Sequence, residues 1–281
     1  MSRYRWAWRP GWILSHLFVL ACVVAFVNLG FWQLRRLDER RTANALIEQR
    51  EAIPPVPVAE VLPPDADPAQ VSQAIYRQVT AVGTYDAADQ VLIRNRTNSG
   101  SPGFRVVTPL VLADGKALAI DRGWIPIQYG DGDQANPALY APPTGPVTVS
   151  GVVRETQRQE GLGVTDPPDG RLATLSRIDV PRLGQQTTTP LLPAYVELTA
   201  QQPAQPDASP TPVEPPALDD GPHLGYAGQW FIFAALTVVV YPLLLRRNAR
   251  NKEREAIEAA YAAAHPDDDD PSPVPPVELV R

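Results

Sequence analysis

His223 is the residue of this chain best placed to do chemistry. It stands at the edge of an apolar run and leads Leu224-Gly225-Tyr226-Ala227-Gly228-Gln229-Trp230. A histidine there can ligate a haem iron, with the apolar helix face receiving the macrocycle. The commoner role is an interfacial histidine hydrogen-bonded to water or lipid headgroups, and residue chemistry alone ranks that role first. Gln229 and Asn28 are polar groups in the outer parts of two apolar segments, spaced to hydrogen-bond across a helix pair, while Gly225, Ala227 and Gly228 admit a close helix or a flat ligand. Arg94, Arg96, Arg105 and Arg122 lie on or beside strand-like runs. Guanidinium groups can hold carboxylates in bidentate fashion, on haem propionates or on a partner's acidic face, although surface salt bridges are the default use. Trp124, in Asp121-Arg122-Gly123-Trp124-Ile125-Pro126, is a core or interface anchor.

Other chemistries are poorly served. The chain has one cysteine, Cys22, and one methionine, so copper(I) delivery lacks sulfur ligands. His16, His223 and His265 have no zinc-ligand spacing. There is no Gly-x-Ser-x-Gly elbow and no phosphate-cradling glycine loop. The Asp219-Asp220 pair falls in a Pro-rich stretch and reads as solvated. A net charge of −6, with no basic stripe, argues against nucleic acid as a partner. The expectation is a protein that is not an enzyme.

Two apolar stretches, Trp12–Trp32 and Gly225–Leu245, position these residues. Each reaches roughly 30 Å as a helix, the thickness of a bilayer's hydrocarbon. Arg246, Arg247, Arg250, Lys252 and Arg254 follow the second span, and no Lys or Arg lies between Arg182 and that span. Positive charge stays inside, so both termini are expected in the cytoplasm and the central domain outside. The first span is ambiguous, with Arg3, Arg5 and Arg9 before it and Arg35, Arg36, Arg40, Arg41 and Arg50 after it. In this topology His16 and His223 lie roughly 20 Å or more apart, so a six-coordinate haem would need another ligand or another chain.

The expected order is a cytoplasmic N-terminus (1–11), a first span (12–32), a helix extension and Pro-rich connector (33–70), an extracytoplasmic β domain (71–200), a Pro-rich tether (201–224), a second span (225–245), and a cytoplasmic charged helix with a disordered acidic tail (246–281). Strand patterns cover Tyr76–Tyr85, Gln90–Arg96, Phe104–Leu112, Lys116–Asp121, Thr144–Glu155, Arg171–Ile178 and Leu191–Leu198, and Asp114-Gly115 marks a hairpin. Residues 130–146 and 157–170 read as loops. The fold class is membrane α plus all-β: two transmembrane helices flanking one mainly antiparallel β domain, a barrel or a sandwich.

Four segments together resemble the surfeit-locus-one family of cytochrome oxidase assembly factors. They are Gly30-Phe31-Trp32-Gln33-Leu34-Arg35-Arg36; Tyr76-Arg77-Gln78-Val79 with Gly83-Thr84-Tyr85; Gly103-Phe104-Arg105-Val106-Val107-Thr108-Pro109-Leu110 with Asp121-Arg122-Gly123-Trp124-Ile125-Pro126; and His223-Leu224-Gly225-Tyr226-Ala227-Gly228-Gln229-Trp230. The resemblance implies a two-pass assembly factor for the haem–copper (aa3-type) cytochrome c oxidase, assisting heme a insertion into the catalytic subunit or stabilising that subunit. It carries a haem-linked histidine onto His223, as a candidate iron ligand, with Tyr226, Gln229 and Trp230 completing the candidate cofactor site. Arg94, Arg122 and Trp124 are the candidate partner-binding residues. The implied partners are the catalytic subunit, heme a synthase and the lipid bilayer, with heme a held transiently. The alternative is a scaffold that binds oxidase subunits without touching haem. Asp121 stands where the family usually has Asn, and Gly221-Pro222 replaces an Asn that often precedes His223. The short stretch before the first span points to a bacterial plasma membrane rather than a mitochondrion.

Overall fold

Proline spacing decides where the first long helix stops. Between Pro10 and Pro54 the chain has no proline, and in the computed structural model this stretch is one helix, α1 (Pro10–Glu51). The structure describes residues 5–131, 135–159, 163–205, 209–215 and 217–264. The acidic tail, with His265, lies outside the described residues. The chain forms two units: residues 1–43 with 219–281, and residues 44–218.

In β-unit order, α1 is followed by β1 (Val56–Pro57), α2 (Val58–Val61), α3 (Pro68–Ala74), β2 (Gln78–Tyr85), β3 (Val91–Asn98), β4 (Ser101–Leu112), β5 (Ala117–Pro126), α4 (Ile127–Gly130), β6 (Pro146–Arg154), β7 (Thr174–Leu175), α5 (Val180–Gly184) and β8 (Leu191–Gln202). The last helix, α6 (His223–Ala264), belongs to the helical unit.

α1 and α6 each contain 42 residues, and their most apolar windows have mean hydropathies of 2.2 and 1.8 with only 6% of each window buried. Leu14, Leu17, Phe18, Ile232, Leu236 and Val239 are exposed, as side chains facing lipid would be. The chain is therefore a two-span membrane protein. Where the helices meet, Phe26 stacks on Trp230 at 5.7 Å and Phe31 meets Phe231 edge-on at 5.5 Å. A Cβ on Gly30 would lie 2.7 Å from the Phe231 ring, so this glycine allows the close approach. At the other end, Tyr241 lies 2.6 Å from His16 Nδ1 and 3.0 Å from Ser15 Oγ.

In the β unit, β2 pairs with β6, β6 with β8, β8 with β5 and β5 with β4. Leu110–Leu112 of β4 then pairs with Gly83–Tyr85 of β2, closing five strands into a barrel. All these pairings are antiparallel except β5 with β8. The first part of β4 instead pairs with β3, which carries β7 at its far edge. Closure leaves the long strands with little open edge, and the two-residue β1 and β7 cover what remains. Leu118 and Ile120 of β5 join the barrel core with Val79, Leu110, Val149 and Val196. Ala119 faces a second core with Ile93, Val107, Leu175 and Leu183. Covered on both sides, β5 is buried without alternation from Ala117 to Gly123.

Two segments differ from the expected organisation. The Pro-rich connector is part of the domain: Val58 and Leu62 are 4% and 0% exposed in the barrel core, and Asp67 caps α3 in a capping box with Gln70. The tether is tied down as well. β8 runs on to Gln202, and Thr211 exchanges two backbone hydrogen bonds with Trp124, each 2.8 Å. The expected strand over Arg171–Ile178 shortens to β7. Beside it, buried Arg182 donates to the carbonyls of Pro167 and Gly170 at 2.8 Å each, fixing an irregular path.

Candidate functional site

The segment entering α6 hangs on α1. Arg41 donates to Asp220 Oδ2 at 2.6 and 3.0 Å, and Arg40 Nη2 lies 3.7 Å from Asp219 Oδ1. Asp219 also accepts the Gly221 N–H at 3.1 Å, turning the chain at Gly221, whose φ is +66°. The hydrogen bond to Asp220 raises the Arg41 pKa, and its counterpart lowers that of Asp220. These acidic residues are solvated, as expected of the tether, and also pair with α1 just before α6 begins. Both pairs are exposed and therefore sensitive to salt.

His223 opens α6 half-buried, with Nδ1 2.9 Å from Gln33 Oε1 on α1. An amide oxygen only accepts, so Nδ1 carries the proton and Nε2 keeps its lone pair. Nε2 makes no hydrogen bond among the described residues. Its edge of the ring leans over Gly221, where a Cβ would stand 3.6 Å from Nε2. At about 3.6 residues per turn, His223, Ala227, Trp230 and Ala234 share the face of α6 packed on α1. Ala227 and Ala234 are buried, and Trp230 stacks on Phe26. Tyr226 and Gln229 turn outward and are exposed, so the structure joins His223 and Trp230 but not the other two candidates. Asn28 donates to Val24 of its own helix at 2.7 Å rather than to Gln229. Gly225 and Gly228 have nothing within 4 Å of where a Cβ would be, so the close helix contact falls at Gly30 instead.

For a haem, the described residues fit one axial ligand. His223 offers a free Nε2 with its other nitrogen fixed, the usual arrangement of a ligating imidazole. His16 cannot supply a second, because Nδ1 meets Tyr241 and Nε2 meets the Ala7 carbonyl at 3.1 Å.

The domain arginines divide three ways. Arg94 lines a hollow of about 510 Å³ with Arg96, Phe104 and Ile127, and pairs with Asp166 at 2.6 Å. Arg105 pairs with buried Asp121 and, at 3.4 Å, with Glu197, which Arg154 also reaches at 3.4 Å. Burial pushes the Asp121 carboxyl up to about 6 even though Arg105 opposes the shift. Arg122 requires a correction: it is 2% exposed and does not face a partner. A bulge in β5 opposite Val106 and Val107 leaves Arg122 unpaired in the ladder, and its side chain plugs the barrel. It donates to Gln90 Oε1 at 3.0 Å, to the carbonyls of Tyr140 and Ala141 at 2.9 and 3.1 Å, and to Gln205 Oε1 at 2.6 Å, with Tyr85 stacked at 5.3 Å. Burial without a carboxylate partner depresses its pKa to about 10. Trp124 is half-buried, donating from Nε1 to the Arg96 carbonyl at 3.1 Å.

Sequence reasoning gave no role to Gln33 or Asp166 and read Asp219-Asp220 only as solvated. A polar Gln33 at the end of an apolar run was the available signal for the first.

The SURF1 family model matches residues 20–235, a stretch that includes Gln33, the β unit and His223. An uncharacterised SURF1-like protein of Mycobacterium tuberculosis is 30% identical over 258 residues, covering 91% of each chain. A SURF1-like protein of Rickettsia felis is 24% identical over 247 residues, 83% of this chain and 97% of that one. The cytochrome oxidase assembly protein SHY1 of Saccharomyces cerevisiae is 29% identical over 114 residues, 40% of this chain and 28% of its own.

Proposed function

This chain belongs to the SURF1 family, and from that premise we propose that it is a non-enzymatic assembly factor for a haem–copper cytochrome c oxidase. The similarity to a yeast protein named for oxidase assembly supports the general role. In the finer reading, heme a is cargo passed to the catalytic subunit, and heme a synthase is the expected donor. One observation carries it: His223 Nδ1 lies 2.9 Å from Gln33 Oε1 while Nε2 makes no hydrogen bond among the described residues, at the mouth of a two-helix membrane unit. Bound there, the macrocycle supplies an iron that takes a nitrogen ligand. His223 would give that nitrogen, with exposed Leu224 and half-buried Trp230 as the apolar surface beside it. The pairs of Asp219 and Asp220 with α1 fix where the ring stands. Arg94 and Trp124, on the β unit, serve the oxidase subunit.

The proposed orientation places both termini in the cytoplasm and the β unit outside a bacterial plasma membrane. The basic run Arg246–Arg254 after the apolar part of α6 supports it.

The test is to purify the protein from cells that make heme a and record absorption spectra of wild type and His223→Ala. A haem Soret band in wild type that is lost in the variant is expected. No band in either sample overturns the carrier role. Oxidase from a deletion strain separates the alternative: assembled but haem-poor enzyme fits a carrier, whereas fewer but fully haem-loaded complexes fit a haem-independent scaffold.

A further inference from the structure

We infer that Gln33 is a positioning residue, which holds His223 in the one tautomer that can bind a metal through Nε2. The inference rests on the haem reading for its purpose, but its geometric claim stands by itself. A neutral imidazole carries its proton on either nitrogen, and in water the Nε2–H form is somewhat preferred. In that form the outward nitrogen is a donor and has no lone pair for iron. Gln33 Oε1, 2.9 Å from Nδ1, reverses the preference by accepting the Nδ1 proton.

Three features of the chain support this assignment. Gln33 sits on the long, unbroken helix α1, so its side chain is presented from a rigid backbone rather than a loop. The Arg40–Asp219 and Arg41–Asp220 pairs, both about two turns further along α1, bring the turn before α6 to the same helix. Gly221 lies beside the opposite edge, its Cβ position at ordinary contact distance, 3.4 Å from His223 Cδ2 and 3.6 Å from Nε2. One edge of the ring is thus anchored by an amide, and the other makes no hydrogen bond among the described residues. The anchor and the ring it holds come from the distant segments Gly30–Arg36 and His223–Trp230, which meet at this hydrogen bond.

The chain has only three histidines, so selective ¹⁵N-histidine labelling of the full-length protein in detergent micelles gives a readable spectrum. His223→Ala identifies the resonances of His223. In wild type, at a pH where the ring is neutral, the haem-free His223 is expected to show a protonated Nδ1 and an unprotonated Nε2. Gln33→Leu should shift it toward Nε2–H, and hemin titrated into the same sample should bind about tenfold more weakly, as when the outer partner of a ligating histidine is lost. Gln33→Glu, which retains an acceptor, should restore both the tautomer and the affinity. It should also lower the reduction potential of the bound iron, because a carboxylate makes the imidazole a stronger donor. A wild-type His223 protonated at Nε2, or a Gln33→Leu variant with unchanged tautomer, overturns the inference. If Gln33 sets the tautomer but His223→Ala leaves hemin affinity unchanged, the haem reading fails while the positioning role stands.

Discussion

Asp121 and Arg122 are adjacent and both buried, yet they meet burial in opposite ways. Asp121 has a cation beside it and still has its pKa raised to about 6, above its ordinary 3.8. The folded domain therefore favours the protonated carboxyl. Stability from this group is fully present below about pH 4 and is lost as pH rises through about 6, a difference of about 2–3 kcal/mol. Asp121→Asn is expected to match or exceed wild type in thermal stability at pH 7, and the advantage should vanish near pH 4. A variant less stable than wild type at pH 7 would show that the ion pair with Arg105 outweighs desolvation. Arg122 has no carboxylate and is held by four neutral oxygens from three separate segments. Arg122→Met should cost about 3–5 kcal/mol, because it leaves those buried acceptors unpaired. Denaturant melts of the variant would measure it. Arg122→Lys should recover only part, lacking the planar fork that reaches several carbonyls at once.

Among the elements, the helix pair turns on Gly30. Ile at this position would force its side chain into the Phe231 ring, already 2.7 Å from a bare Cβ. Gly30→Ile is expected to part α1 from α6, lowering disulfide yield between engineered cysteines at Phe26 and Trp230, while Gly30→Ala needs only a turn of the ring. The spans were legible because hydropathy over some twenty residues is a strong signal, and the β domain because alternation marked β2 and β6 and the Asp114-Gly115 hairpin marked β4. β5 kept its identity through the Asp114-Gly115 hairpin rather than through alternation, since both its faces are covered. Proline misled at Ile53–Pro68, where the ring fixes local backbone but says nothing of Val58 and Leu62 entering the core. At the candidate site, His223 was visible as a histidine at an apolar edge. Its partner was not, because Gln33 lies 190 residues away and no local pattern reports which distant carbonyl a ring nitrogen meets.

For the whole molecule, the two units have separate hydrophobic interiors. All the core residues of the barrel and its satellite clusters fall between Val58 and Leu198. A fragment of residues 44–218 is accordingly expected to fold in water and melt cooperatively, and aggregation without near-ultraviolet dichroism would contradict that independence. In the full chain, reporter fusions within Gly130–Pro146 should be active only outside the cytoplasm, and fusions after Ala264 only inside. The far part of α6 carries one more implication. From Arg250 to Ala264 every residue is exposed, so little packing keeps this stretch helical. Starting a helix in water is disfavoured by a factor of roughly a thousand, but extending an existing one is nearly free. The lipid-buried turns upstream act as a template, and order spreads outward from them residue by residue. Severed from that template, the same stretch would unravel toward coil, so a protease cutting near Arg247 would melt the helix from there to Ala264.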